Sequence, residues 1–283
     1  MTFEERAIHF FCGDVRLFGI LSVPEQVTTR GVLILVGGPQ YRVGSHRQFT
    51  LLARQLAKNG FPAMRFDYRG MGDSEGEQRN FEAIDEDIDR AIDHFFEQVT
   101  GMTEVVIWGL CDAASASLFY AHKDPRVSGI VLLNPWVRTE KTIAKVYVKH
   151  YYLNRLFEQE FWRKVLHGRL NILSAGRSFV QFLVTAFFWH NPAHSSQSEA
   201  ESLSDRMLCG LKKFKGKVLL ILSGKDLTSK EFMDLVQSSS EWQSQLSITN
   251  MTRLDLHEAN HTFAQREWRD QVADATIKWV QSW

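Results

Sequence analysis

The chain has 283 residues, with 33 basic and 33 acidic side chains, 44% apolar residues and 23% charged ones. That length allows one or two domains around a large apolar core, and 18 glycines with 6 prolines exclude a disordered or collagen-like chain. A net charge of zero supplies no global basic field to gather nucleic acid or an anionic membrane, so neither is an expected partner.

Cys12, Cys111 and Cys209 are too few and too scattered for a disulfide framework or a zinc cluster, and read as thiols. Met1 to Arg6 lacks the basic-then-apolar order of a secretory signal, so a reducing cytoplasm is the expected compartment. Phe179 to Trp189 is the longest apolar window, shorter than the roughly 18 residues that span a bilayer. It has no basic polar face, which favours packing onto the protein over peripheral lipid contact. Oligomeric state leaves no trace in the sequence.

In chain order, Arg6 to Phe11 and Val15 to Val23 read as strands joined by the turn Cys12-Gly13-Asp14. Gly31 to Val36 is an unbroken apolar run ending at Gly37-Gly38-Pro39, the pattern of a strand covered on both faces. Phe49, Leu52, Ala53 and Leu56 fall on one helical face before the stop Asn59-Gly60. Ala63 to Tyr68 reads as strand, Glu82 to Val99 as helix, Glu104 to Trp108 as strand, Asp112 to His122 as helix and Ser128 to Leu133 as strand. Lys217 to Leu222 and Leu246 to Leu254 read as the last strands, and Trp268, Val272, Ala275 and Trp279 mark a closing helix. The alternation predicts an α/β fold, a mainly parallel twisted sheet of about eight strands between helices. Residues 137–210 break it, being rich in aromatics and poor in strand signals. They are expected to form a helical cap inserted into a core of residues 1–136 and 211–283, its aromatics serving as its own core or as a lid on an apolar substrate.

The densest chemical signal is Val105-Val-Ile-Trp-Gly-Leu-Cys-Asp-Ala-Ala-Ser115. A reactive side chain on a sharp strand-to-helix turn needs small residues two before and two after it, and Gly109 and Ala113 stand there around Cys111. A thiol at a helix N-terminus has its thiolate favoured by the exposed amides. The next N–H, that of Asp112, can stabilise a tetrahedral oxyanion. Alone, Cys111 would read as a small buried hydrophobe. A base and an orienting carboxylate change that reading. Asp226 follows the strand ending Leu222-Ser223-Gly224, at the carboxyl edge where open parallel sheets place their sites, and His261 lies before the closing helix. The order nucleophile, acid, base is that of α/β-hydrolases.

Arg65-Phe-Asp-Tyr-Arg-Gly-Met-Gly-Asp-Ser-Glu-Gly76 resembles the turn after the fourth strand of α/β-hydrolases, in which Arg69, Gly70, Gly72, Asp73 and Ser74 read as structural. With Cys111, Asp226 and His261, the resemblance covers the chain outside the insertion. More narrowly, Gly37 to Phe49 together with Gly109 to Ala116 resembles the bacterial exosortase A system-associated hydrolases of the first type. That resemblance implies a cytoplasmic enzyme from an exopolysaccharide and protein-sorting locus. The chain departs from common α/β-hydrolases in carrying cysteine in place of serine, as the dienelactone hydrolases do. It also carries Gly37-Gly38-Pro39 where a His-Gly loop is usual. Pro39 has no N–H to give, so Gln40 is the expected second oxyanion donor, unless the register is off by one.

Tyr41, Arg42, His46 and Arg47 share that loop and could grip a substrate carboxylate or phosphate, or form a solvated loop that begins a helix. The expected activity is hydrolysis of an ester or thioester through an acyl-cysteine, with no metal or organic cofactor. An acyltransferase using the same residues and a non-catalytic binding module are the alternatives. His257-Glu258-Ala259-Asn260-His261 also satisfies His-Glu-x-x-His, which on a helix binds zinc; this metallopeptidase reading would leave Cys111 and Asp226 unexplained.

Overall fold

The computed structural model describes residues 2–38, 40–137 and 202–283. Its strands are β1 (Phe3–Cys12), β2 (Val15–Pro24), β3 (Arg30–Leu35), β4 (Ala63–Asp67), β5 (Glu104–Leu110), β6 (Val127–Leu133), β7 (Lys217–Lys225) and β8 (Met251–Asn260). The helices are α1 (Gln48–Lys58), α2 (Asp85–Gln98), α3 (Asp112–Tyr120), α4 (Leu203–Lys213), α5 (Leu227–Ser238), α6 (Ser240–Leu246) and α7 (Arg266–Val280). One sheet runs in the order β1-β2-β4-β3-β5-β6-β7-β8. It is antiparallel at β1/β2 and β2/β4 and parallel from β4 to β8. This is the α/β-hydrolase fold.

Chain order reverses between β3 and β5, which lie side by side. The loops leaving their carboxyl ends therefore diverge and open a crevice, where sheets of this kind place their ligands. Every residue of β3 is buried. Val32, Ile34 and Val36 enter the core shared with α1 and α7, while Gly31 faces Phe95 of α2 so closely that a side chain there would meet its ring.

The turn after β4 is held by its own charges. Asp87, fully buried, takes Arg69 through Nε at 3.1 Å and Nη2 at 2.9 Å and also accepts the Arg69 N–H. Ser74 Oγ bonds the Asp67 carbonyl and accepts the Phe18 N–H, which ties the turn to β2. The structural reading of this turn rests on those contacts.

Two expectations change. The last strand is not Leu246 to Leu254: Ser239 caps a helix by accepting the Trp242 N–H, so 240–246 is helical and the strand starts at Met251 and runs to Asn260. His261 thus follows the strand directly. The helices α5 and α6 had no counterpart in the sequence reading. The insertion expected at 137–210 lies outside the described residues except at its ends, of which the second enters α4, where Gly210 packs on the Leu118 carbonyl of α3. The segment Phe179–Trp189 also lies outside. Among the described residues no helix is long and apolar enough to cross a membrane.

Breaking a buried ion pair from one side leaves an uncompensated charge. Asp87→Ala is expected to cost about 3 kcal/mol, read as a lower urea midpoint at unchanged m-value.

Candidate active site

β5 ends at Leu110 and α3 begins at Asp112, so Cys111 alone makes the turn, with φ 64° and ψ −124°. A non-glycine residue there is strained and persists only where its surroundings over-determine it. They do so here. The Cys111 N–H donates to the Leu133 carbonyl at 2.8 Å, and the Cys111 carbonyl accepts N–H groups from Ala114, Ser115 and Trp136. A side chain on Gly109 would lie 2.6 Å from the Ala113 backbone, so the strand and helix close on each other as the small residues predict. The thiol is half-buried at the rim of the α1/α7 core, outside any disulfide.

Asp226 and His261 arrive from β7 and β8. Asp226 is buried and caps α5, its two carboxylate oxygens accepting the Thr228 and Ser229 N–H groups at 3.2 Å. Its Oδ2 also lies 2.8 Å from His261 Nδ1. A carboxylate only accepts, so Nδ1 carries the proton and Nε2 is left as the basic nitrogen. Asn134, buried at the end of β6 with φ 43°, links to Ser223 of β7 by two hydrogen bonds, Nδ2 to Ser223 Oγ at 2.8 Å and Ser223 N–H to Oδ1 at 2.9 Å. It fixes the β7 end from which Asp226 projects.

Asp112 does more than supply an N–H. Its carboxylate accepts the Gly38 N–H at 2.7 and 2.9 Å and the Ala113 N–H at 2.9 Å. Burial pushes its pKa above the ordinary carboxylate value, opposed by those N–H groups and by the charge of His261. The loop amide that reaches the elbow is that of Gly38. Gln40, whose backbone N–H is the expected donor, accepts the Ser45 N–H with its side-chain oxygen.

Arg42, one of the residues that could grip a substrate anion, is committed elsewhere: its guanidinium pairs with Asp67 and Asp73. Tyr41 and His46 are exposed. The zinc reading fails on geometry. His257 and Glu258 lie on the strand β8 and His261 just past its end, so the two imidazoles are not set one helical turn apart as His-Glu-x-x-His requires. Among the described residues no three His, Cys, Asp or Glu side chains cluster to hold a metal.

The sequence reading missed two features, the Asp112 carboxylate and the Asn134 clamp. A carboxylate directly after the elbow residue was the available signal for the first. For Asn134, a polar residue ending an apolar strand was the only one.

The model of the family "Serine aminopeptidase, S33" matches residues 28–231. A polyketide transferase, grgF of Penicillium sp, is 26% identical over 111 residues. That match spans 36% of this chain and 36% of the relative, so the chain spans about a third of the length of the curated relative it matches. Among solved structures, the esterase Pf2001 of Pyrococcus furiosus is 16% identical at a TM-score of 0.67, covering 99% of this chain and 93% of that one. Est1E of Butyrivibrio proteoclasticus, solved with ferulic acid, is 13% identical at 0.64, covering 97% and 98%. A dienelactone hydrolase of Anabaena variabilis is 16% identical at 0.62, covering 99% and 98%. At these identities the likeness is one of fold.

A raised carboxyl pKa means the folded state holds the proton more tightly than the unfolded one, so the charged form costs stability at neutral pH and the cost is relieved as pH falls. Asp112→Asn keeps an acceptor and loses the charge. It should be more stable than the wild type at pH 7, with the gap closing as pH falls into the carboxylate range, measured by urea unfolding at both ends.

Proposed function

The chain belongs to the serine aminopeptidase, S33 family of α/β hydrolases, and on that premise we propose that it cleaves an ester or thioester through an acyl-cysteine. Cys111 is the nucleophile, His261 the base and Asp226 the carboxylate that holds the imidazole. The observation that carries this reading is the 2.8 Å pair between Asp226 and His261, set on the same sheet edge as the strained turn at Cys111.

In this mechanism His261 Nε2 takes the thiol proton as the sulfur attacks the acyl carbon. The Asp112 N–H and the Gly38 N–H receive the oxyanion, Gly38 taking the place first expected for Gln40. For that, the Asp112 carboxylate must leave the Gly38 N–H when substrate enters. Collapse of the tetrahedral intermediate breaks the bond to the leaving group, which takes the proton from His261 and departs as alcohol or thiol. Water then attacks the acyl-cysteine with His261 again as base and releases the acid.

The same intermediate serves a transferase when an alcohol or sugar reaches it before water. The matched stretch of a polyketide transferase is the reason to offer acceptors in the assay. The likeness to exosortase A system-associated hydrolases supports a cytoplasmic enzyme acting on an acyl group of exopolysaccharide metabolism, and sugar acceptors test that directly.

Incubation with short acyl thioesters should add one acyl mass to the protein. The adduct should appear on rapid quenching of the wild type, form far more slowly on His261→Ala, which lacks the base for the attack, and be missing from Cys111→Ala. No adduct on the quenched wild type, or an adduct that forms equally fast on His261→Ala, would defeat the proposal.

Asp226→Asn separates two roles of one side chain. The amide still accepts an N–H at the start of α5, so the loss in stability should stay within about 1 kcal/mol. The wrong imidazole tautomer should lower kcat by roughly 10³–10⁴. Hydrolysis kinetics beside urea unfolding measure the two effects.

A further inference from the structure

A second cavity opens beside this site, between the first turns of α1 and α7, with a volume of about 330 Å³. None of Cys111, Asp226 and His261 lines it. Its polar lining holds three arginines, Arg47, Arg266 and Arg269, the Trp108 indole and the amides of Gln48 and Gln55, with Asp270 the one carboxylate. Gln48 and Trp108 are 7% and 2% exposed. The buried Gln48 Nε2 and Trp108 Nε1 have no hydrogen-bond acceptor. A buried donor left unsatisfied costs about 1–3 kcal/mol, so two of them on side chains that line one cavity are groups for which a ligand acceptor entering that wall is the missing partner.

The surroundings name the charge of that ligand. Both helices begin here, at Arg47 and Gln265, and neither start has a side-chain cap; the Phe49 and Thr50 N–H groups turn to the Val43 carbonyl, and the two helix dipoles add to a positive field. Arg47 has no carboxylate partner among the described residues. Arg269 gives one nitrogen to the Ala264 carbonyl, and Arg266 reaches Asp270 at 3.3 Å. Asp270 also accepts from Gln55 at 3.5 Å. Three guanidinium groups against one carboxylate leave an excess that a dianion balances, and Leu51, Leu52 and Val272 offer apolar surface to the rest of the ligand.

We propose that this cavity is a binding site for a phosphomonoester with a small apolar body, its phosphate oxygens received by Gln48 Nε2, Trp108 Nε1 and the arginines. A tetrahedral dianion has enough acceptor positions for neutral donors and guanidinium groups together, which a monocarboxylate lacks. The site is independent of the acyl-cysteine chemistry.

The test tracks the Trp108 indole, one of eight in the chain, by ¹H–¹⁵N correlation spectroscopy, with Trp108→Phe identifying its resonance. Phenyl phosphate should move that resonance downfield and saturate, as expected when the N–H gains a charged acceptor. Inorganic phosphate should act in the same direction more weakly, and benzoate should bind at least about tenfold more weakly than phenyl phosphate. Gln48→Leu and the exposed pair Arg47→Ala/Arg266→Ala should each weaken binding by about tenfold. The proposal is overturned if phenyl phosphate moves no indole, if the variants bind as the wild type does, or if benzoate and chloride act as strongly as phosphate. Should Trp108→Phe fail to fold, the titrations of the other two variants decide, since their substitutions lie at the rim and at one buried amide.

Discussion

The structure depends on one backward turn. At Cys111 the chain leaves a buried parallel strand and enters a helix without a connecting loop, which forces a left-handed conformation on a residue that has a side chain. The strain is held because the turn's carbonyl is shared by three N–H donors and its own N–H is fixed to β6. The turn lifts the thiol to the edge of the sheet at the point where strand order reverses, and it presents the first amide of α3 beside the sulfur. Only Gly109 and Ala113 are small enough for strand and helix to approach this closely.

The acid and the base come from the other half of the sheet, and their placement is equally economical. Asp226 is at once the cap of α5 and the partner of His261, so the start of that helix and the orientation of the imidazole share one carboxylate. Three N–H groups converge on it, two from backbone and one from the ring. That convergence leaves the side chain little freedom to rotate. The Asn134–Ser223 link beneath it ties β6 to β7, so the elbow, which is bonded to Leu133, and the carboxylate, which comes after β7, sit on one rigid edge.

Much of this was legible in the sequence, for physical reasons that differ between elements. β3 could be read because a strand buried on both faces must be apolar throughout, and the elbow because its steric demand restricts two flanking positions to small residues. The pair Asp226 and His261 could be read because strand ends carry chemistry in parallel sheets. What could not be read is equally specific. The segment Ser239 to Leu246 looks polar and irregular, and its helix depends on one serine cap and on Trp242 packing against Phe232, a tertiary contact that no local pattern reveals. Arg42 looked available for a ligand because its partners Asp67 and Asp73 lie far along the chain and reach it only in the folded turn.

Asp112 shows how two sound local rules can conflict. An acidic residue in the first turn of a helix is favoured by the exposed amides, and a nucleophile elbow wants those same amides open to an oxyanion. Both demands fall on Gly38 and on the start of α3, and in the structure the carboxylate holds the Gly38 N–H. A negative charge beside the sulfur also opposes formation of the thiolate that the helix N-terminus promotes. On the proposed chemistry His261 removes the thiol proton in the reaction itself, and the carboxylate gives up the Gly38 amide to the developing oxyanion at the same moment. Asp112→Asn removes the charge and keeps an acceptor for the Gly38 N–H. The substitution should raise the rate of Cys111 alkylation by iodoacetamide at pH 7 by about tenfold, and quantitative mass spectrometry of the Cys111 peptide against Cys209 as internal reference reads that change directly.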